Sequence, residues 1–392
     1  MEIVKISISF LLILLNKPCN RPTMRLINLP VLVILLLTAC NPKSQEKISG
    51  IKSNEIKLAP PVRLRLSDCI NKTSENLELS DIAESISYIK LETNEESLLG
   101  GIVFVVPIDD GYLISDNSWS LYLFGKNGKF KWKINNQGRG PTEYLEISDL
   151  FGADNIKREI ILSDGKKLLI YDFNSNFKRK ISLPFYPGNV CVLPSGHYLL
   201  TNTNPFETAL ARVTDGNGNV VKKYINSNVG TRLDDKGRGL KSSRSEFRFN
   251  YNEVLLSNRD TIWQLIDNMD LEVRFIIDSR LKENKDRFYF YSSNVISKSL
   301  IGLIFHFQKE NFLYDIKDKT FYNVNGGLPD DIDFGPNVFP GRGDGRILID
   351  FLNPFTLLSI SSSIRKASDL FNIVQNMKED DNPILRIIKL KE

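Results

Sequence analysis

The sequence has few of the residues on which most enzyme chemistry depends. It contains two histidines and four cysteines in 392 residues. His306 lies in an apolar run and His197 in a predicted hairpin turn, so neither position is typical of a catalyst. The sequence also lacks a P-loop, GxSxG and HExxH motifs and a CxxC pair. Zinc chemistry and serine–histidine hydrolysis therefore gain no support, although carboxylate chemistry stays open because its residues can be scattered along a chain.

The chain also lacks a strong charge of either sign. Residues 1–39 carry four basic side chains and one acidic side chain, which leaves 47 basic and 46 acidic side chains in the remainder. A nucleic-acid-binding protein needs a concentrated basic surface. The near-neutral body therefore argues against a nucleic-acid partner.

No apolar run is long enough to span a bilayer comfortably, because a spanning helix needs about 20 apolar residues. The run after Met24 is shorter and ends in the tetrapeptide LTAC at Cys40. A basic start, a short apolar core and small residues are typical of a signal peptide. The tetrapeptide resembles a bacterial lipobox, which implies that residues 24–39 are removed and that Cys40 is lipidated. An uncleaved anchor or a secretory signal with an incidental cysteine is the alternative.

The first 23 residues hold a second apolar stretch, Ile3–Leu15, for which a protein with a signal at Met24 has no use. We therefore expect translation to start at Met24 and residues 1–23 to be an upstream extension. A two-pass hairpin anchor is the alternative, and the shortness of both runs disfavours it. Residues 40–78 contain three prolines and are interpreted as a lipid-anchored tether.

Two cysteines, Cys69 and Cys191, remain after removal of the signal, and they are 122 residues apart. A disulfide between them is open in an exported protein. Cys191 lies in the apolar run NVCVL, however, and is better explained as a small buried residue on a strand.

Five similar hairpins recur along the chain. Each has two β-rich runs around a tight turn, and the turns centre near Asn127, Ser175, Asn217, Asn268 and Asp318. Their Asn, Asp and Gly residues suit the positive φ of hairpin turns. Intervals of 42 to 51 residues are typical of propeller blades or solenoid repeats. The repeat predicts an all-β protein but does not indicate a reaction.

The predicted strands, grouped in fours, indicate a six-bladed β-propeller of four-stranded antiparallel blades over residues 79–392. The sixth group is one strand short, and Ile86–Glu92 is left over at the N-terminal side. We expect Ile86–Glu92 and Ile384–Leu390 to share the sixth blade, because this pairing closes the ring and protects its edges. Apolar residues at helical spacing predict one short helical insertion at residues 362–377.

Two connectors carry candidate site residues. In the first, QGRGPTEY at 137–144, the side chains of Arg139, Glu143 and Tyr144 are candidates for binding an anionic ligand. The alternative, which the Gly-Pro pair favours, is a rigid connector with an internal Arg139–Glu143 pair. Arg342, in an integrin-like Arg-Gly-Asp tripeptide, is a further ligand-binding candidate, although its glycine-rich surroundings favour a plain turn.

The second connector, LPDDIDFGP at 328–336, places Asp330, Asp331 and Asp333 close together. Calcium prefers oxygen ligands, so these carboxylates are a candidate metal site. The spacing differs from that of an EF-hand loop, and a full coordination shell would need ligands from other blades. The alternative is a solvated turn capped by aspartate, with no cofactor.

The lipobox, the strand ISYIKLE, the two connectors and the ending NPILRIIKLK together resemble the six-bladed, NHL-like β-propeller lipoproteins of gut anaerobic bacteria. The resemblance covers residues 79–392. It implies the propeller fold and a place in the cell envelope, and it implies no particular reaction.

Two functions remain open from the sequence. The first is a non-catalytic binding or scaffolding module, anchored to the membrane through its N-terminal lipid, with a protein, peptide or glycan partner. The second is a metal-dependent hydrolase or lyase, with a calcium-like ion and a carboxylate site at the central channel. The residues after Cys40 lack a strong acidic run, which favours an outer-membrane protein facing the periplasm over display on the cell surface.

Overall fold

The structure is a computed structural model, and it describes residues 61–65, 73–74, 77–147, 151–202, 209–225, 246–250, 253–258, 261–266, 269–278, 290–295, 300–305, 310–339 and 346–391. The chain divides into two compact units, Met1–Leu58 and Ala59–Glu392. All described residues belong to the second unit. Cys40, Cys69, His306 and Arg342 lie outside the described residues.

Five four-stranded antiparallel sheets, here called blades 1 to 5, make up most of the second unit. The elements before blade 1 are β1 (Val62–Arg65), β2 (Thr73–Ser74), α1 (Leu79–Ile82) and β3 (Ala83–Lys90). Blade 1 consists of β4 (Ile102–Ile108), β5 (Gly111–Asp116), β6 (Leu121–Gly125) and β7 (Phe130–Ile134). Blade 2 consists of β8 (Phe151–Asp154), β9 (Glu159–Asp164), β10 (Lys167–Asp172) and β11 (Phe177–Ser182).

The next three blades repeat this order. Blade 3 consists of β12 (Pro187–Val192), β13 (Tyr198–Asn202), β14 (Ala209–Thr214) and β15 (Val220–Ile225). Blade 4 consists of β16 (Glu246–Asn250), β17 (Glu253–Asn258), β18 (Thr261–Ile266) and β19 (Asp270–Asp278). Blade 5 consists of β20 (Phe290–Val295), β21 (Leu300–Phe305), β22 (Glu310–Asp315) and β23 (Thr320–Asn323).

The turns between the third and fourth strands of three blades share one mechanism, which explains the repeat in the sequence. Asp172 and Asp315 end the third strands of blades 2 and 5, and Asp215 directly follows that of blade 3; each carboxylate accepts backbone N–H groups from its own turn. A residue with positive φ follows in each turn: Ser175, Gly218 and Lys319. The predicted hairpins around Ser175, Asn217 and Asp318 are therefore confirmed.

The remaining strands form a sixth sheet of three strands, here called the terminal sheet. Its strands are β24 (Ile347–Leu352), β25 (Ile384–Leu390) and β3, in that order. The antiparallel register pairs Ile384 with Lys90 and Leu390 with Ala83, which confirms the prediction that the two terminal segments share one sheet. The prediction of six four-stranded blades is wrong, because the blade count is five and the described residues add no fourth strand to the terminal sheet.

Apolar residues between neighbouring sheets hold the ring together. The first strands β4, β8, β12, β16 and β20 contact one another in succession, so they lie innermost. Buried clusters join most neighbouring sheets, and the terminal sheet packs on both blade 5 and blade 1. Each of these clusters contains residues of two neighbouring sheets, such as Leu113 and Tyr171, Ile161 and Tyr198, Leu199 and Trp263, Leu313 and Ile388, and Leu385 and Ile114. Cys191, predicted to be buried, is fully buried on β12.

The insertion between β24 and β25 contains two short helices, α2 (Pro354–Ser359) and α3 (Asp369–Val374). The helical insertion predicted near residues 362–377 is confirmed in part: α3 lies within that range, whereas α2 precedes it and was not predicted. Asn353 caps α2, whose first residue is a proline, and Ser368 caps a separate helix through the N–H of Phe371. No helix among the described residues has the length and apolar character to cross a membrane.

Two short segments of the predicted tether are strands at the rim of the ring. β1 pairs in parallel with β19, the outer strand of blade 4, and β2 pairs in parallel with β23, the outer strand of blade 5. The sequence did not reveal these strands, because segments of four and two residues carry almost no periodic signal.

Candidate binding site

The loops that lead into blades 1, 2 and 3 lie at one end of the ring, here called the connector end. They are residues 91–101, 135–147 and 183–186. The turns after the second strands lie at the same end, since Gly100 and Leu145 in the connectors donate backbone hydrogen bonds to Asp116 and Asp164 in those turns.

Asp116 organises the turn of blade 1. One oxygen of its buried carboxylate, Oδ1, accepts the N–H of Ser118 at 3.1 Å, its hydroxyl at 2.6 Å and the N–H of Ser120 at 3.2 Å. The other, Oδ2, accepts the N–H of Gly100 at 3.0 Å and the hydroxyl of Tyr122 at 3.2 Å. The carboxylate therefore fixes both the turn and the connector that packs on it.

Trp119 lies at the tip of this turn and is 41% exposed. Its φ of 59° is in the left-handed region, which costs a residue with a Cβ atom roughly 1 kcal/mol. The N–H of Trp119 donates to the carbonyl of Asp116 at 3.0 Å, so a backbone hydrogen bond closes the turn. The fold thus holds a large aromatic side chain at the surface in a conformation that glycine would adopt more easily.

Blade 2 repeats the arrangement. Asp164 ends β9 as Asp116 ends β5, and it accepts the N–H of Leu145 at 3.2 Å. Lys167 forms an ion pair with Asp164 at 3.1 Å and donates to the carbonyl of Glu143 at 2.6 Å. These contacts leave Leu145 exposed.

Two further large side chains are exposed on adjoining loops at this end. Leu98 lies in the connector that packs on the turn of Trp119, and Tyr186 lies in the connector into blade 3, with the ammonium of Lys166 5.0 Å from its ring centroid. The connector end of the first three blades therefore presents apolar and aromatic groups on loops held by buried carboxylates.

Two of the three predicted residues of the first connector, Glu143 and Tyr144, make contacts that hold the loop itself. The Glu143 carboxylate accepts the N–H of Gly140 in its own loop at 2.6 Å. Tyr144 is fully buried, and its hydroxyl donates to the carbonyl of Ile134 at 3.2 Å. Burial raises the pKa of the Tyr144 phenol. Tyr144 is therefore a core residue that no ligand reaches, which corrects its selection, whereas Arg139 is exposed.

The predicted metal ligands of the second connector do not converge. Asp330 faces Arg386, Asp331 accepts the N–H of Ser80 at 2.9 Å, and Asp333 accepts the hydroxyl of Tyr88 at 2.7 Å. Within the described ranges, no group of three His, Cys, Asp or Glu side chains is arranged to hold a metal ion. The carboxylate alternative of a hydrolase or lyase gains no support from these residues.

Arg386 is a fully buried cation at the centre of the terminal sheet. Its guanidinium pairs with Asp330 at 3.1 Å and with Asp350 at 2.5 Å. The remaining contacts are with two carbonyls of the connector, those of Pro336 at 2.7 Å and Asn337 at 3.4 Å. Arg386 thus holds the second connector against the terminal sheet through buried contacts, so its role is structural.

Electrostatics around Arg386 follow from burial and hydrogen bonding. Burial raises the pKa of the Tyr88 phenol, and the hydrogen bond to Asp333 raises it further. Burial also tends to raise the pKa of Asp331, but the hydrogen bonds from Ser80 and the nearby charge of Arg365 outweigh it and hold that pKa below its usual value.

The family of the chain follows from a comparison with known families. A family model described as a domain of unknown function (DUF4934) matches residues 61–389. The chain belongs to the DUF4934 family. No curated protein matches the chain.

Among solved structures, a Bacteroides fragilis protein described as exported is similar over 85% of this chain and 100% of its own, with 18% identity and a TM-score of 0.64. At that identity the similarity shows the fold alone. A protein of unknown function from Bacteroides caccae covers 57% of this chain and 81% of its own at 12% identity, with a TM-score of 0.36. BamB from Moraxella catarrhalis covers 61% and 66% at 13% identity, with a TM-score of 0.37.

Sequence reasoning missed Trp119 and the two organising aspartates, although a signal was present. The second strands of blades 1 and 2 end in the same dipeptide, Ser115-Asp116 and Ser163-Asp164. This repeat of polar residues lies between the hairpins that defined the blades. An aspartate that recurs at the end of a strand is a turn and capping signal, and it predicts a structured loop beside it.

Proposed function

We propose that the protein is a binding or scaffolding module of the bacterial envelope, which holds a protein, peptide or glycan partner at the connector end. The observation that carries this proposal is Trp119, an exposed indole whose turn is fixed by the buried carboxylate of Asp116. Tryptophan and tyrosine dominate the energetics of many interfaces, because they bring a large contact area at a small cost in conformational entropy.

Rigidity supports the same proposal. An exposed tryptophan on a fixed turn loses little freedom on binding, so more of its contact energy reaches the affinity. Leu98, Leu145 and Tyr186 extend the apolar surface on the neighbouring loops, and Arg139 adds an exposed cation. This mixture suits a partner that offers both apolar and polar groups.

The test is a pull-down from solubilised envelope with immobilised wild-type protein and the Trp119→Gly variant. Glycine removes the indole and also suits the positive φ, so the variant is expected to fold at least as stably as the wild type. We expect the Trp119→Gly variant to retain about one tenth or less of the partner that the wild type retains, because removal of an interface hot spot has an effect of this size.

The matched control is Ile156→Ala. Ile156 is 88% exposed in the turn between the first two strands of blade 2, at the opposite end of the ring. This variant should retain the partner as the wild type does. Equal retention by Trp119→Gly, or equal loss from both variants, would argue against a site at the connector end.

We further propose that the protein is anchored through a lipid on Cys40, in the outer membrane and facing the periplasm. The lipobox-like tetrapeptide supports the lipid, and the description of the similar Bacteroides fragilis protein as exported supports an envelope location. Metabolic labelling with a palmitate analogue should mark the wild type and not Cys40→Ser. Degradation by protease added to intact cells would contradict the periplasmic orientation.

A further inference from the structure

The outer strands of blades 2, 3 and 4 follow one another along the rim of the ring. The turn that leads into β15 lies against the end of β11, because a Cβ atom on Gly218 would come within 2.6 Å of the Ile181 side chain. On its other side β15 contacts blade 4, where the hydroxyl of Tyr224 donates to the carbonyl of Met269. β1 then covers β19, the outer strand of blade 4. The strands β11, β15, β19 and β1 therefore form one stretch of the surface, here called the blade 3 rim.

Apolar side chains are exposed on β15, in the middle of the blade 3 rim. Val221 is 50% and Ile225 is 64% exposed, and Val220 is exposed beside them. On β11, Phe177 adds an exposed aromatic ring. Exposed apolar side chains that lie together mark an interaction surface, because water solvates them poorly. The blade 3 rim therefore has an apolar centre that the described residues leave in contact with solvent.

Three exposed cations accompany these apolar side chains: Lys180 on β11, Lys223 on β15 and Arg63 on β1. Among the described residues, none accepts a hydrogen bond from these three side chains or forms an ion pair with them. The strands β1, β11 and β15 contain no acidic residue. In a chain with nearly equal numbers of basic and acidic residues, this is a local excess of positive charge.

Several neighbouring cations of the blade 3 rim already have partners and are not counted with these three. Lys178 and Arg179 pair with Glu159, and Lys222 pairs with Asp270 of blade 4. The three cations named above differ from these neighbours because no described residue neutralises them. They are therefore the groups that an anionic ligand would meet.

The blade 3 rim is also where the chain continues toward its proposed lipid. β1 begins at Val62, and residues 41–60, which number 20, lie between Cys40 and the first described residue, Pro61. A chain of that length spans at most about 70 Å even when it is fully extended. With a lipid on Cys40, the surface of the bilayer is therefore never farther than that from β1.

We propose that the blade 3 rim lies on the headgroup layer of the bilayer in which the protein is anchored. Lys180, Lys223 and Arg63 contact anionic lipid phosphates, and the apolar side chains of β15 enter the boundary with the acyl chains. A bilayer surface offers both kinds of group within about 10 Å, which matches an apolar centre accompanied by cations. This inference rests on the proposed lipid at Cys40, and it does not involve the connector end.

The experiment measures how much of the mature protein sediments with lipid vesicles. The protein carries Cys40→Ser, so that no attached lipid contributes to binding. One set of vesicles is phosphatidylcholine, and the other contains about one third phosphatidylglycerol, which is anionic. We expect the protein to bind the anionic vesicles about tenfold or more tightly at low salt, and the difference to shrink as added salt screens the charges.

Lys223→Glu should weaken binding to the anionic vesicles about fivefold or more, since each basic residue near an anionic surface contributes a factor of about that size. Lys223→Gln should lose less, because it removes the charge without reversing it. Ile225→Ser should weaken binding through the loss of apolar contact. Unfolding in urea, measured for each variant, should match that of the wild type.

The matched control is Lys366→Glu. It changes an exposed lysine between α2 and α3, in the insertion of the terminal sheet, which lies across the ring from blade 3. This variant should bind the anionic vesicles as the unsubstituted protein does. An equal loss for Lys366→Glu would overturn the proposal. Equal binding to the two kinds of vesicle would also overturn it and leave the rim to a soluble acidic partner.

Palmitate labelling of Cys40 is scored separately from vesicle binding. A protein that is labelled, but whose Cys40→Ser form does not prefer anionic vesicles, contradicts the role of the rim alone. A protein that is not labelled contradicts the anchor on which the inference rests. The two failures are therefore distinguishable.

Discussion

The connectors at 135–147 and 328–339 use similar ingredients, yet they are held in different ways. Both combine glycine, proline and acidic residues. In the first, the Glu143 carboxylate binds the N–H of Gly140, three residues away. In the second, Asp330 binds Arg386 and Asp333 binds Tyr88, which are 56 and 245 residues away. The first connector is held by its own residues and by the adjacent blade 2, whereas the second also depends on strands from both ends of the ring.

Of the substitutions that test this comparison, Arg386→Met should lower the free energy of unfolding most. The substitution removes a fully buried cation and leaves the carboxylates of Asp330 and Asp350 without it. Breaking a buried ion pair from one side costs about 3–5 kcal/mol, so we expect the free energy of unfolding in urea to fall by that amount. Arg139→Met, in the first connector, is the matched control and should change it by less than about 0.5 kcal/mol.

Glu143→Ala should have a smaller and local effect. The loss of the carboxylate leaves the N–H of Gly140 without this acceptor, at a cost of about 1 kcal/mol. Glu143→Gln keeps an oxygen acceptor and should recover most of that stability. A loss for Glu143→Ala as large as that for Arg386→Met would show that the first connector, too, supports the whole ring.

Acid should affect the second connector through Asp331. Its pKa in the fold lies below its usual value, so the folded state prefers the ionised form. The stability that this preference gives is present above about pH 4 and is lost as the pH falls through the lowered pKa. Asp331→Asn should therefore flatten the loss of unfolding free energy below pH 4, measured by urea denaturation at a series of pH values. An acid limb as steep as that of the wild type would contradict this assignment.

Phe334→Gly should have the smallest effect. Phe334 has a φ of 55°, which glycine adopts without strain, but its ring also lies 4.8 Å from the guanidinium carbon of Arg365. The relief of strain and the loss of an exposed cation–π contact are each worth about 0.5–1 kcal/mol and oppose each other. We expect a net change within about 0.5 kcal/mol by thermal or urea unfolding. A larger loss would mean that Phe334 anchors the connector.

The sequence predicted the structural features that recur along the chain or depend on neighbouring residues. The hairpin turns at Ser175 and Asn217 and the pairing of the terminal strands follow from turn chemistry and from the need to close a ring. The role of Arg386 could not be predicted, because an arginine in ILRIIKL looks like an exposed residue of an amphipathic strand. Only the three-dimensional structure brings Asp330 and Asp350 to it. The sequence predicts Asp330 and Asp333 as metal ligands or as part of a solvated turn, because their actual partners, Arg386 and Tyr88, are too distant in sequence to infer.

The terminal sheet also fixes the order in which the protein can be completed. β25 lies between β24 and β3, so a strand translated after the five blades joins the strand just before it to one translated ahead of the five blades. A nascent chain that has not reached Ile384 therefore exposes the edges of β3 and β24. A frameshift or stop codon between Leu352 and Ile384 should leave an aggregation-prone open ring, even though all five four-stranded blades would already have been made.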